Sequence, residues 1–230
     1  MLKKQFYYNP YKKIQPETSE PYTIIYLVRH CQPEYRLEED LDDKLLPLSV
    51  IGIRQAKFLV KNKLLKLAID RVYASELVRA RQTAKIYSEQ SGHKIKIDSR
   101  LNEIDWKNWY KMKYFNMTDK TRVKRVKGYQ TMNKVLSNYQ AQSRRLLADY
   151  WLKNKNKKII LFCHGNLIRS MVTGILNTDV VGFLSMEIYQ SSVTKLVIDR
   201  DGYIKINYIN SIGHLPHRPT EDLFHFAISQ

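Results

Sequence analysis

Two short apolar runs stand out in the hydrophobic pattern of the chain, Tyr22–Val28 and Lys158–Cys163. Each is nearly continuous and rich in β-branched residues, the pattern of a strand buried on both faces of a sheet. Between them the period changes. Ser49, after Pro47-Leu48, offers a helix N-cap, and Ile53, Ala56, Phe58, Leu59 and Leu64 supply an apolar face behind it. Asp70–Ser75 predicts a second short strand, Leu77–Gln90 a helix stopped at Ser91-Gly92, and the alternating Lys94-Ile95-Lys96-Ile97 a third strand. Tyr129–Lys153 predicts a long helix, and Leu167–Leu176 and Val180–Met186 two shorter ones. Ser192–Ile198 and Tyr203–Ile209, joined by Asp199-Arg200-Asp201-Gly202, predict a closing pair of strands. Residues 105–128 are aromatic and basic without a clean period and are expected to be irregular. Residues 1–20, which mix Lys, Tyr and Pro, are expected to form an arm outside a single domain over residues 21–230. The alternation of strands and helices, with no internal repeat, predicts one α/β domain around a mostly parallel sheet.

Composition narrows this little. The chain has 230 residues, enough for one well-filled domain. No apolar run approaches the ~20 residues needed to cross a bilayer, and Met1-Leu2-Lys3-Lys4 leads into no apolar leader, so a soluble, cytoplasmic protein is expected. Cys31 and Cys163 are too few for a disulfide framework or a structural zinc site. The net charge of +17 favours anionic partners, although much of it lies in Lys107–Lys127 and Lys153–Lys158 and reads first as solvated surface. No nucleic-acid signature accompanies it, and the 16 tyrosines are scattered rather than arranged to stack bases. A homodimer is left open.

Candidate chemistry sits where the two apolar runs end. One runs into Arg29-His30, the other into His164-Gly165-Asn166, and Ser75…Arg79 closes and follows the short strand that begins at Asp70. In α/β proteins the C-terminal ends of parallel strands face the ligand crevice. Arg29 and Arg79 can neutralise a phosphomonoester dianion with fork geometry. A neutral His30 can then attack phosphorus if its other ring nitrogen is held by an acceptor. His164, expected protonated, would stabilise the transferring group together with the arginines. Glu103 is the candidate to protonate the leaving group and later to activate water. A two-histidine, one-carboxylate metal site formed by His30, His164 and Glu103 is disfavoured because two arginines would oppose a dication. No metal and no cofactor are expected.

These motifs resemble the histidine phosphatase superfamily, the phosphoglycerate mutase-like proteins. The likeness rests on Arg29-His30-Cys31, Pro47-Leu48-Ser49…Gly52…Gln55-Ala56, Tyr73-Ala74-Ser75…Leu77…Arg79-Ala80…Gln82-Thr83-Ala84, Leu101-Asn102-Glu103-Ile104 and Cys163-His164-Gly165-Asn166…Ile168-Arg169, in that order. It implies a three-layer α/β/α domain with an antiparallel edge to its sheet, and a phosphatase working through phosphohistidine on His30. Arg29, Arg79 and His164 would form the phosphate pocket, with Gly165, Asn166 and Arg36 as further phosphate or substrate contacts and Glu103 as proton donor. Arg36 stands about where many members carry asparagine. The tail, Ser192–Asp199, Asp201-Gly202, Asn210 and His214-Leu215-Pro216, is similar to the PGAM5-like Ser/Thr phosphatases, so a phosphopeptide substrate is weighed against a small sugar, nucleotide or cofactor-precursor phosphate. A mutase and an inactive phosphate-binding scaffold are the alternatives. Cys31 replaces the family's usual glycine, and the Gly-x-x-x-Gly after the acid motif is replaced by Trp106-Lys107-Asn108-Trp109-Tyr110. Trp106 and Trp109 read as core, Arg81 as outward, and both cysteines as inert. His93, His214, His217 and His225 are given no partner.

Overall fold

The computed structural model describes residues 19–37, 41–107 and 118–216. Six strands form one sheet: β1 (Thr23–Arg29), β2 (Arg71–Ala74), β3 (Ile95–Ile97), β4 (Lys158–Cys163), β5 (Val193–Ile198) and β6 (Ile204–Ser211). Their order is β3-β2-β4-β1-β5-β6. β3, β2, β4 and β1 run parallel, whereas β5 and β6 pair antiparallel on the far side of β1. The helices are α1 (Val50–Asn62), α2 (Val78–Ser91), α3 (Asp119–Arg125), α4 (Tyr129–Lys153), α5 (Gly165–Leu176) and α6 (Val180–Leu184).

Successive side chains of a strand point to opposite faces, and this divides the core in two. Ile25 and Leu27 of β1 pack with Ile159, Leu161 and Cys163 of β4 against Leu146 and Leu147 of α4 and Ile168 and Met171 of α5. Tyr26 and Val28 pack with Ile160 and Phe162 against Ala56, Leu59 and Val60 of α1 and Ala84 and Tyr87 of α2. Both faces of β1 and β4 are thus covered, which is why their sequences are apolar without alternation and why the domain has three layers, as expected. A smaller cluster joins Trp106 to Met132, Leu136, Val180 and Phe183. Its two rings lie 4.7 Å apart, placing Trp106 in the core, while Trp109 lies outside the described residues.

Three local expectations need correction. The buried stripe of α1 is Gly52, Gln55, Ala56, Leu59 and Val60, while Ile53 is 40% exposed. That stripe steps by three and four residues, and Ile53 lies at its edge, about 20° round the helix from Val60, where it is left exposed in the first turn. Polar and small residues occupy the inner face because it braces a loop, as described below. Residues 105–128 are not wholly irregular, since α3 forms within them, although 108–117 lie outside the described residues. Helix α5 begins at Gly165, two residues earlier than the apolar pattern implied, directly after β4 and His164. As for the arm, residues 1–18 lie outside the described residues. Its last part is pinned at Ser19, whose carbonyl accepts from Arg200 N at 2.9 Å and whose N–H donates to Asp199 Oδ2 at 3.3 Å.

Candidate active site

Parallel pairing of β1 with β4 sets Arg29 opposite Cys163, so His30 and His164 emerge side by side. His30 N donates to Cys163 O at 2.9 Å, and the two imidazole centroids lie 5.0 Å apart. β2 flanks β4, and Ser75, just past its end, donates its N–H to Phe162 O at 2.9 Å. Three strand ends therefore deliver His30, His164 and Ser75 to one place, with Arg79 one residue into α2.

The imidazole of His30 is locked in one tautomer. Its Nδ1 lies 2.7 Å from Cys31 O, which can only accept, so Nδ1 carries the proton. Its Nε2 receives the Nε–H of Arg79 at 3.2 Å and so presents a lone pair. Burial, then His164, Arg79 and Arg29, hold its pKa well below the usual histidine value. The ring is therefore neutral at pH 7. The loop beyond it is pinned from every side. Cys31 N donates to Thr83 Oγ1 at 3.1 Å and Gln32 N to Gln55 Oε1 at 2.8 Å, while Ser191 N donates to His30 O at 3.2 Å. A Cβ on Gly52 would stand 2.0 Å from Gln32 O, so this backbone can approach α1 only where α1 has glycine. Ser49 caps α1 through Gly52 N at 3.0 Å, and its Oγ donates to Gln32 Oε1, also at 3.0 Å.

His164 takes the opposite tautomer. Ser75 Oγ spends its proton on Asn102 Oδ1 at 2.8 Å, so at 2.8 Å from His164 Nε2 it accepts. Asn102 is oriented in turn by donating Nδ2–H to Glu76 Oε1 at 2.6 Å. His164 Nδ1 is buried and has no partner among the described residues. Burial, with Arg79 and Arg29, holds this pKa well below the usual value too. Two guanidinium groups and burial all disfavour a further cation, which favours the neutral ring before a phosphoryl group is bound.

Arg29 donates NH1–H to Ile188 O, and its Nε has no partner among the described residues. The guanidinium lies against Gly165, where a Cβ would come within 3.1 Å of Nε. Glycine at the start of α5 thus makes room for the arginine. Arg79 is buried and donates NH1–H to Asp43 O at 2.6 Å and NH2–H to Asp43 Oδ2 at 3.0 Å.

Glu103 meets the N-terminus of α5. Oε1 accepts from Leu167 N at 3.0 Å and Ile104 N at 3.1 Å, and Oε2 from Asn166 N at 3.2 Å. Burial pushes its pKa above the usual carboxylate value, against the pull of these N–H groups and of Arg29. Asn166, expected as a substrate contact, accepts at Oδ1 from Arg169 NH1 at 3.1 Å. The short Asn side chain at the helix start is within reach of an arginine three residues on, and it takes that local partner. The Arg36 side chain lies outside the described residues. Among the described residues no group of three His, Cys, Asp or Glu side chains converges as a metal set.

Ser75 and Asn102, which carry no role in the motif pattern, fix the tautomer of His164. The available signal was position, since Ser75 ends the strand beside β4. Ser191 and His214 form a second buried pair, Oγ to Nε2 at 2.7 Å, in which Ser191 adopts φ 65°. Ser191 also bonds the thiol of Cys31, whose pKa burial pushes up to about 12, so that cysteine is an inert thiol. His93 stacks on Tyr87 at 5.7 Å and meets Ile69 O at 2.8 Å, while His217 and His225 lie outside the described residues.

Comparison with known proteins shows the family of the chain. Residues 25–211 match the family described as the histidine phosphatase superfamily (branch 1). The serine/threonine-protein phosphatase Pgam5, mitochondrial, of Drosophila mojavensis is 28% identical over 217 residues, covering 84% of this chain and 64% of that protein. The probable phosphoglycerate mutase GpmB of Enterobacter sp. (strain 638) is 24% identical over 215 residues, covering 86% and 98%. Among solved structures, the phosphoserine phosphatase of Entamoeba histolytica in complex with 3-phosphoglyceric acid superposes with a TM-score of 0.66 at 21% identity, covering 84% and 100%. With paired strand-end histidines, two arginines beside them and a family match over most of its length, the chain belongs to the histidine phosphatase superfamily.

Proposed function

We propose that this chain hydrolyses phosphomonoesters without a metal, through a phosphohistidine on His30. The observation that carries the reading is the tautomer of His30: Nδ1–H is held by the Cys31 carbonyl, and the Nε2 lone pair faces a guanidinium. In the first step that lone pair attacks phosphorus and the P–O ester bond breaks. Glu103, in its acid form, gives its proton to the leaving oxygen. Arg29, Arg79 and His164 balance the charge on the three equatorial oxygens. His164 Nδ1 has no competing partner among the described residues, and a bound dianion would raise its affinity for a proton. In the second step water attacks phosphorus, Glu103 takes its proton, the P–N bond breaks and inorganic phosphate leaves. His30 returns to the neutral form it began in.

A phosphoprotein substrate is favoured by the likeness to Pgam5, a small phosphomonoester by the likeness to the Entamoeba enzyme. Turnover of p-nitrophenyl phosphate in EDTA, with an acid-labile phosphoryl adduct trapped on quenching, is expected. Activity lost in EDTA and restored by a divalent cation would overturn the metal-free route. Glu103→Gln is expected to slow alkyl phosphates at least ten-fold more than p-nitrophenyl phosphate, whose leaving group needs no proton. Equal losses would remove Glu103 from the acid role.

A further inference from the structure

Arg79 is already occupied in this structure. Both terminal nitrogens of its fork are turned on Asp43, NH1 to the main-chain oxygen at 2.6 Å and NH2 to the carboxylate at 3.0 Å. Its remaining nitrogen lies on the lone pair of His30 at 3.2 Å. A phosphoryl group gripped by the same fork needs the same two nitrogens, and a nucleophilic His30 needs that lone pair. One arrangement therefore masks both the phosphate site and the nucleophile.

We propose that Asp43 is a latch on the phosphate pocket, competing with the substrate's phosphoryl group for Arg79 and favouring substrates that carry a cation close to the ester. This rests on the reading of Arg79 as a phosphate ligand. The two partners differ in freedom. Arg79 is 5% exposed and built into α2, whereas the side chain of Asp43 is 63% exposed on a single 3-10 turn, Asp43–Leu45. The adjacent Asp42 caps that turn by accepting from Lys44 N at 2.9 Å, so the turn is formed without help from Asp43's own carboxylate. When phosphate arrives, the exposed partner yields. A carboxylate and a phosphate dianion on one guanidinium repel each other, so Asp43 must swing out. At the mouth it is then a carboxylate without its cation. An ammonium two or three bonds from the phosphate oxygen would replace that partner, and a carboxylate at the same place would be repelled.

The full-length chain, with Asp43→Asn and Asp43→Ala, tests this with three esters: p-nitrophenyl phosphate, O-phosphoethanolamine and 3-phosphoglycerate. Inorganic phosphate serves as competitive inhibitor. Both variants should bind phosphate about three- to ten-fold more tightly, with KM for p-nitrophenyl phosphate falling and kcat held within about two-fold. The wild type should favour phosphoethanolamine over 3-phosphoglycerate by about five-fold or more in kcat/KM, and the variants should lose that preference. Phosphate affinity that is unchanged or weaker in both variants overturns the latch, since Asp43 would then be aiming Arg79 rather than competing for it. A preference that survives Asp43→Asn overturns the substrate selection. Wild type that turns over no ester, yet binds phosphate more weakly than the variants do, would keep the latch and refute the hydrolase reading.

Discussion

His30 and His164 occupy equivalent places, each one residue past the end of neighbouring parallel strands, yet their imidazoles are set up oppositely. His30 is protonated at Nδ1 and offers Nε2, whereas His164 is protonated at Nε2 and leaves Nδ1 without a partner among the described residues. The difference comes from what each strand end finds beside it. β1 runs into a loop whose next carbonyl, that of Cys31, folds back on the ring. β4 runs straight into α5, so no such carbonyl is at hand, and the neighbouring β2 supplies Ser75 instead. A backbone acceptor fixes the first ring and a side-chain relay the second. The first is therefore fixed by the fold itself, the second by two replaceable residues.

The largest effect should separate the two rings outright. His30→Ala is expected to remove the phosphoryl adduct and lower kcat/KM for p-nitrophenyl phosphate by at least about 10⁴-fold. His164→Ala should cost about 10²- to 10³-fold while still allowing the adduct to form, slowly, on His30. Rapid quench with radiolabelled phosphate checks both. An adduct persisting in His30→Ala, or absent only in His164→Ala, would reverse the assignment.

A smaller effect probes the relay. Ser75→Ala leaves His164 Nε2 without its acceptor, so either ring nitrogen can carry the proton. A ten- to hundred-fold fall in kcat/KM is expected, with partial rescue in Ser75→Thr, which keeps the hydroxyl. A purely structural role for Ser75 would lower stability alike in both variants and leave kcat/KM of the folded protein unchanged.

Much of this was legible in the sequence, and what was missed has a common physical cause. The strands, most of the helices, the paired histidines and Arg79 could be read because burial on both faces makes β1 and β4 apolar throughout, and because the chemistry at strand ends is local to them. The partners of those groups were not. Nothing near Gln55 or Thr83 says that each bonds the loop after His30, since that contact depends on α1 and α2 packing on one face of the sheet. Ile53 stands at the edge of the α1 stripe, and its apolarity does not show that Gly52 and Gln55 take the inner positions. The resting charge of His164 depends on burial and on two arginines gathered from β1 and α2, which no local pattern shows. The hydrogen bond from Arg169 that orients Asn166 is likewise not marked by its motif position. Sequence marked the candidate groups, and the structure was needed to find what orients them.

The smallest expected effect concerns stability and sets a third buried histidine beside the strand-end pair. His214 is bonded through Nε2 to Ser191, which in turn donates its N–H to His30 O, and burial, with Lys63 nearby, lowers its pKa to about 4. In the unfolded chain a histidine titrates near 6.5. Below that pH the unfolded state takes up a proton that the folded state refuses, so stability is full above about 6.5 and falls as the pH drops toward the folded value. From pH 7 to pH 5.5 the loss from this one group is about 1 kcal/mol. His30 and His164 are lowered in the same direction and add to it. Urea unfolding at the two pH values should therefore show a steeper loss in the wild type than in His214→Gln, by about 1 kcal/mol. Bound inorganic phosphate should flatten the part due to His164, whose ring would then gain a counter-ion, and leave the part due to His214 unchanged. Equal pH dependence in the two proteins would mean that His214 is protonated in the folded state. The Ser191 pair would then be a charged one, and the loop after His30 would rest on a cation.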